Sequence, residues 1–291
     1  MAAVDGNYQG FDVATTEPGI SVVTFNRPDR LNAMGSSTRR DLVEILRIAQ
    51  LDDDVRVIVL TGTGRGFVAG VNNRPTGSED PVIAPPIPSH EHLPVDLYSR
   101  LRLHGQDVPR VIRYVDKLTI AAVNGFAIQL GLSIVLACDF AVAAHSARLG
   151  SATLRMGWQP DEGGHWLLVE HLGVKRALEF LLRKEIVTAE EAAELGLVNQ
   201  VVPDDELMAR TMELATELAA GPQVAMRLLK RATYNAASLS FDQAGDDIAT
   251  KTALSDFHQD AIDGAPAFFD RRPAVFNKWL DASEEAGTER P

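Results

Sequence analysis

A chain of 291 residues, 45% apolar and carrying a formal charge of −12, is long enough for one sizeable core or one core with a small appended module. A balance this acidic excludes general affinity for DNA, RNA or anionic lipid, and no apolar run reaches the ~20 residues that span a bilayer. The N-terminus lacks the basic and apolar regions of a secretory signal, and Cys138 has no second cysteine to pair with, so a cytoplasmic setting is expected.

In chain order, residues 8–26 read as two strands joined by a turn at Glu17-Pro18-Gly19. From Ser36 to Asp52, Leu42, Ile45, Leu46 and Ala49 recur at the spacing of a one-faced helix. Val55 to Thr61 is a run of β-branched residues that predicts a buried strand. Strand, helix, strand in this order predicts a parallel sheet with crossover helices. Gly62-Thr63-Gly64-Arg65-Gly66 imitates a dinucleotide fingerprint, but its glycine spacing is wrong and no helix start follows. Residues 72–94 are rich in Pro, Ser, Gly and acid and read as a long loop, a lid or a binding loop. His90, Glu91, His92 and Asp96 have metal-capable side chains, yet no second ligand cluster accompanies them, so no metal is expected. Leu97 to Val115 reads as one helix.

Thr119 to Gly164 organises the chain. An apolar strand, Thr119 to Val123, breaks at Asn124-Gly125; a turn at Gln129-Leu130-Gly131 leads into a buried helical run, Ser133 to Ala137, ending at Cys138-Asp139. Strand, turn and helix start aim unpaired backbone N–H groups at one point, where negative charge developing on an oxygen is stabilised. Phe140 to Ala144 is a further strand, Gly150 to Gly164 a loop, and Trp166 to Leu172 and Lys175 to Leu182 two helices. Thr188 and Glu191 form a capping box, Gly196 closes that helix, and Val198 to Val202 is the last strand. Only helical patterns follow, so the boundary is set near Pro203: residues 1–203 as an α/β unit and 204–291 as a helical one.

The segment Ala121-Ala122-Val123-Asn124-Gly125 through Cys138-Asp139 resembles the central motif of the crotonase (enoyl-CoA hydratase/isomerase) superfamily. Asn26-Arg27-Pro28 to Ala33, Gly66-Phe67-Val68-Ala69-Gly70, Ala189 to Ala192 and Gly196-Leu197-Val198 follow in the family's order. The resemblance implies an α/β spiral of ββα repeats, a helical C-terminal region that forms a homotrimer or a homohexamer of paired trimers, and an acyl-CoA substrate with no permanently bound cofactor. It also implies that the N–H groups of Val71 and Leu130 hold the thioester oxygen. Gln129 and Leu130 stand where the family has glycines, so a positive φ at either would be disfavoured by its side chain.

The two glutamates of family hydratases fall on Ser133 and Thr153, neither of which is a carboxylate base. Double-bond isomerases of the superfamily carry a carboxylate in the loop that here reads Pro160-Asp161-Glu162-Gly163-Gly164. Glu162, then Asp161, is the expected proton carrier; the plainer account is that both favour the helix that begins near Gly163. Ser133, Thr153, Trp158 and His165 are candidates for the substrate pocket, though Trp158 by size alone is a core residue and a histidine at a helix start is commonly structural. The resemblance implies CoA contacts from Arg27, Ala33, Ala69, Arg271 and Lys278. The expected reaction is thus double-bond isomerisation of an acyl-CoA rather than hydration. Two alternatives stand: a CoA-independent β-diketone hydrolase using histidines such as His90, His92 and His145, and a non-catalytic acyl-CoA-binding homologue whose Asp161 and Glu162 point to solvent.

Overall fold

A computed structural model of the protein describes residues 2–71 and 94–280. The loop predicted over 72–94, with His90, Glu91 and His92, therefore lies outside the described residues except for its last position.

Three strands open the chain: β1 (Gly6–Tyr8), β2 (Phe11–Thr16) and β3 (Ile20–Phe25), paired antiparallel in succession. Helix α1 (Ser36–Leu51) buries Leu42, Ile45, Leu46 and Ala49 on one face, as their spacing dictates. It crosses to β4 (Val57–Gly62), which lies parallel to β3. β5 (Gly66–Val68) follows at once, so the glycine-rich segment 62–66 joins two strands and starts no helix.

The stretch expected as one helix from Leu97 to Val115 is divided into α2 (Pro94–Arg100), a π-helical turn at Leu101–Gly105, and α3 (Asp107–Tyr114). Then come β6 (Leu118–Val123), β7 (Phe126–Ile128), α4 (Leu130–Ala137), β8 (Phe140–Ala144) and β9 (Arg148–Gly150). The two helices read after Gly164 form α5 (Gly164–Arg183), interrupted at Gly173, which holds φ 71 and ψ 164. β10 (Ile186–Thr188), α6 (Ala189–Glu194) and β11 (Gln200–Val202) complete the α/β part, with the Thr188/Glu191 capping box formed. Four helices end the described chain: α7 (Leu207–Ala220), α8 (Gln223–Ala236), α9 (Phe241–Asp256) and α10 (Gln259–Phe269).

The strands form two sheets, a seven-stranded one in the order β1-β2-β3-β4-β6-β8-β11 and a four-stranded one in the order β10-β9-β7-β5. From β3 onward the larger sheet is parallel, so its central strands β4 and β6 are buried on both faces and mostly apolar, with Thr61 and Thr119 as buried polar members. One face packs through Phe25, Ile58, Leu60, Ala121 and Val123 on α1, α3, α4 and the small sheet. The other packs through Ile20, Val57, Val59, Ile120 and Val142 on Leu207, Ala215, Leu218 and Ala219 of α7. Pro203 marks the end of the last strand, and α7 shares a core with the sheet.

Polar groups fasten the outer helices. Asp139 Oδ2 accepts from Lys230 Nζ at 2.8 Å and from the Thr119 backbone N–H at 2.8 Å, while Oδ1 accepts from the Tyr234 hydroxyl at 2.7 Å. Among the described residues no helix is long and apolar enough to cross a membrane.

Candidate functional site

Helix α4 is buried along its whole length, and its N-terminus is pressed against β5. A Cβ added at Gly131 would lie 1.9 Å from the Val68 carbonyl oxygen, so only glycine permits this approach. Leu130 is the first helical residue. Its N–H is one of those that a helix start leaves without an intrahelical acceptor, the first such bond being Ser133 N–H to the Gln129 carbonyl at 3.0 Å. On the facing segment, Met34 N–H donates to the Gly70 carbonyl at 3.0 Å, the bond that bridges Met34 to Val71. That bond does not use the Val71 N–H. Gly70, at φ 96, sits against the turn, where an added Cβ would be 3.8 Å from Gln129 Cβ. The fold thus brings Gly70 and Gln129, the residues before Val71 and Leu130, next to each other.

Gln129 occupies φ 55 and ψ −103. The turn therefore keeps a glycine-type backbone with a side chain on it, at a strain of about 1–3 kcal/mol. That side chain is fully engaged. Its Oε1 accepts from the hydroxyls of Ser151 at 2.7 Å and Thr153 at 2.5 Å, and its Nε2 donates to Glu162 Oε2 at 3.2 Å.

Glu162 is 3% exposed. Burial pushes its carboxyl up to about 8, helped by a hydrogen bond with Asp161 and the like charge of that residue, and opposed by the Gln129 hydrogen bond and the Arg39 charge. The Asp161 carbonyl accepts from Gln106 Nε2 at 3.1 Å, which ties the loop to the segment between the π-helical turn and α3. Arg39 projects from the first turns of α1; burial lowers its pKa, with Glu162 and Asp161 acting in the opposite direction. Its Nε is buried and has no hydrogen-bond partner among the described residues. In the π-helical turn, burial likewise lowers the pKa of His104, with Asp107 opposing and Arg40 and Arg39 adding to the fall.

Of the pocket candidates, Ser133 lies on the buried face of α4 with its Oγ 3.1 Å from where a Cβ on Gly164 would stand, and Thr153 opens a short 3-10 helix and bonds Gln129. His165 is half-buried in the first turn of α5. Trp158 is 54% exposed, so the core place its size suggests is not the one it takes. Arg27 and Ala33 flank a 3-10 turn at Pro28–Arg30, and the Arg27 N–H donates to Asn32 Oδ1 at 2.7 Å. Asn32 in turn donates to the Gly66 carbonyl at 2.7 Å, and Ala69 N–H donates to the Leu31 carbonyl at 3.0 Å, so Arg27, Ala33, Ala69 and Val71 belong to one packed segment. Arg271 and Lys278 are elsewhere. Lys278 pairs with Asp263 of α10 at 3.0 Å, and neighbouring Asn277 donates to the Gly221 carbonyl between α7 and α8. These bonds hold Lys278 in the outer helical layer, where Arg271 follows the end of α10.

His145 is exposed and pairs with Glu190 at 2.5 Å, apart from the Gln129–Glu162 network. The network contains residues that sequence reasoning passed over. Gln129 was visible only as a missing glycine; Arg39, Gln106 and Ser151 gave no signal, since nothing in their local pattern connects them to position 162.

Comparisons agree with this architecture. The enoyl-CoA hydratase/isomerase family model matches residues 15–279. The chain is 33% identical over 271 residues to a 1,2-epoxyphenylacetyl-CoA isomerase of Escherichia coli, covering 91% of this chain and 98% of that one. It is 30% identical over 261 residues to a crotonyl-CoA hydratase of Syntrophomonas wolfei, covering 89% and 95%. A crystal structure described as an enoyl-CoA hydratase subunit of Geobacillus kaustophilus superposes with a TM-score of 0.79 at 31% identity, covering 94% of this chain and 99% of that one. Motif order, the two-sheet architecture and these matches across nearly the full length make the chain a member of the enoyl-CoA hydratase/isomerase family.

Proposed function

We propose that the protein shifts the double bond of an acyl-CoA thioester through an enolate, with Glu162 as the proton carrier. The observation that carries this reading is a neutral-leaning, buried carboxyl beside the turn that presents Leu130 N–H. In the forward step the Glu162 carboxylate takes the α proton of a 3-enoyl thioester, and the electron pair moves into the thioester oxygen. Val71 and Leu130 N–H receive that negative charge, each such donor contributing about 3 kcal/mol. The carboxyl then returns its proton to the γ carbon, giving the conjugated 2-enoyl product and restoring the carboxylate.

Isomerisation is favoured over hydration because Ser133 and Thr153 offer hydroxyls where a water-activating pair of carboxylates is needed, and the Thr153 hydroxyl is committed to Gln129. The relatives include a protein named for isomerising an epoxyacyl-CoA and one named as a hydratase, so the choice between the two reactions rests on the residues and sets the test. Asp161 serves by keeping the neighbouring carboxyl basic. Coenzyme A, as part of the substrate, would rest on Arg27, Ala33 and Ala69. Arg271 and Lys278 of a neighbouring copy in a homotrimer or hexamer would supply the positive charge that the acidic chain lacks. The setting is cytoplasmic. The solvent-facing acids of a non-catalytic homologue do not fit a Glu162 that is 3% exposed, and the diketone-hydrolase reading gains nothing from a His145 paired with Glu190 at the surface.

The test is calorimetric titration with CoA and a short 3-enoyl-CoA, followed by conjugated-thioester absorbance for wild type and Glu162→Gln. Turnover that collapses in the variant supports the isomerase; binding without turnover transfers the reading to another acyl group or a silent subunit. Absence of binding overturns the CoA reading.

A further inference from the structure

The side chain of Gln129 ties the turn before α4 to two hydroxyls and a carboxyl at once. A residue in a glycine-type conformation gains nothing from a side chain unless that side chain has work, and this one makes three hydrogen bonds, two accepted from Ser151 and Thr153 and one donated to Glu162.

We propose that Gln129 is a positioning residue that holds Glu162 by its carboxamide and favours its ionised, proton-accepting form. This rests on the reading of Glu162 as the proton carrier. The hydroxyls of Ser151 and Thr153 both point their hydrogens at Gln129 Oε1, at 2.7 and 2.5 Å. With the oxygen so occupied, the amide nitrogen is turned toward Glu162 and donates to Oε2 at 3.2 Å. An amide N–H is a donor only, so it rewards a carboxylate oxygen and does nothing for an added proton there. The two hydroxyls fix the rotation of the amide, and the amide fixes one oxygen of the carboxyl. Asp161 is the carboxyl's other side-chain hydrogen-bond partner.

The charged groups acting on this carboxyl are Asp161 from its own loop, which opposes ionisation, and Arg39 from α1, which favours it. The turn and the 151–153 segment contribute only the neutral Gln129, Ser151 and Thr153. In a buried setting that resists ionisation, Gln129 is therefore the uncharged donor that brings the base within reach of neutral pH. Its removal raises the pKa of Glu162, whereas a merely structural role would weaken folding and leave that pKa in place.

The experiment compares wild type, Gln129→Gly and the double variant Ser151→Ala/Thr153→Val. Gly relaxes the positive φ and removes the carboxamide; the double variant keeps Gln129 but frees its amide to rotate. Glu162 is titrated directly by pH-difference infrared spectroscopy of the protonated carboxyl stretch, with Glu162→Gln subtracting every other group, His165 included. The expected result is an upward displacement of the Glu162 titration by roughly one pH unit in Gln129→Gly, leaving about tenfold less carboxylate at neutral pH, and a smaller displacement in the same direction in the double variant. The pH limb of kcat/KM for 3-enoyl-CoA conversion should move with it. A Glu162 titration unchanged in both variants overturns the positioning role, even if turnover falls. If Gln129→Gly does not fold, the double variant decides. Wild type that titrates as expected but has no 3-enoyl-CoA turnover overturns the isomerase reading alone, because the infrared titration does not depend on activity.

Discussion

Lys230 on α8 reaches back 91 residues along the chain to donate to Asp139 at 2.8 Å, and both side chains are almost wholly buried. Asp139 also holds Thr119 and Tyr234, so one carboxylate fastens α8 to the start of β6. Removing one partner of a buried ion pair leaves the other charge without compensation. Asp139→Asn is therefore expected to lower unfolding free energy by about 3–5 kcal/mol, read from urea midpoints. Asp139→Leu/Lys230→Met, which removes both charges, should lose less; an equal loss would contradict this account.

Glu162 gives stability a pH dependence of unusual sign for a carboxylate. Its folded value of about 8 lies above the ordinary 4.5, so between the two the folded chain binds more protons than the unfolded one. The stability contributed by the neutral carboxyl is complete below about 4.5 and is lost as pH rises through 8. Glu162→Gln stays neutral throughout. It should match wild type at pH ~5 and exceed it at pH ~9, by at most about 5 kcal/mol. A gap between the two denaturation curves that is the same at both pH values would refute the burial argument.

For catalysis the base must be ionised before it takes the α proton. With Glu162 near 8, kcat/KM for 3-enoyl-CoA should rise with pH and level off above that value. Glu162→Gln should lower turnover by about 100-fold or more and flatten the profile. A limb near 4.5 in wild type would assign the base to an unburied carboxylate.

Gly131 is the tightest point of the turn. Gly131→Ala would set a Cβ 1.9 Å from the Val68 carbonyl oxygen, forcing α4 and β5 apart. We expect a destabilisation of about 1–3 kcal/mol. We also expect a fall in kcat of about 100-fold as Leu130 N–H leaves its position, with CoA affinity by calorimetry changed far less. Unchanged kcat would remove Leu130 N–H from the reaction.

The outer layer leaves Phe241, Phe257, Phe268 and Phe269 each at least 79% exposed, large apolar side chains that a neighbouring copy would cover. Light scattering on the eluting protein should give three or six times the 31.6 kDa chain mass. A single-chain mass at micromolar concentration would dismiss the assembly, and with it the donation of Arg271 and Lys278 from a neighbour.

How much of this could be read beforehand differs by feature. The burial of Leu42, Ile45, Leu46 and Ala49 follows from their spacing, and the Thr188/Glu191 cap from two residue types at a fixed offset. The whole small sheet escaped notice, because three-residue strands such as Phe126–Ile128 are too short to display a period of two. Val198 to Val202 shrank to Gln200–Val202, since an apolar pair can pack without joining a ladder. At the site, the motif marks Asp161 and Glu162 as a pair with Glu162 placed first, and packing adds the physical difference, burying Glu162 and leaving Asp161 partly open. The Arg39 charge and the Ser151 hydroxyl come to Glu162 through the fold alone.

The larger sheet has a consequence for anyone altering this molecule. Along β4, alternate residues serve different masters: Ile58 and Leu60 join the core shared with α1, α3 and α4, Val57 and Val59 the one shared with α7. A strand with this alternation acts as a partition, because a change of volume on one side is absorbed there before it reaches the other. Remodelling for a larger or smaller acyl group and remodelling of the helical exterior are thus separable engineering problems. Libraries directed at each can be built apart and then combined in one chain.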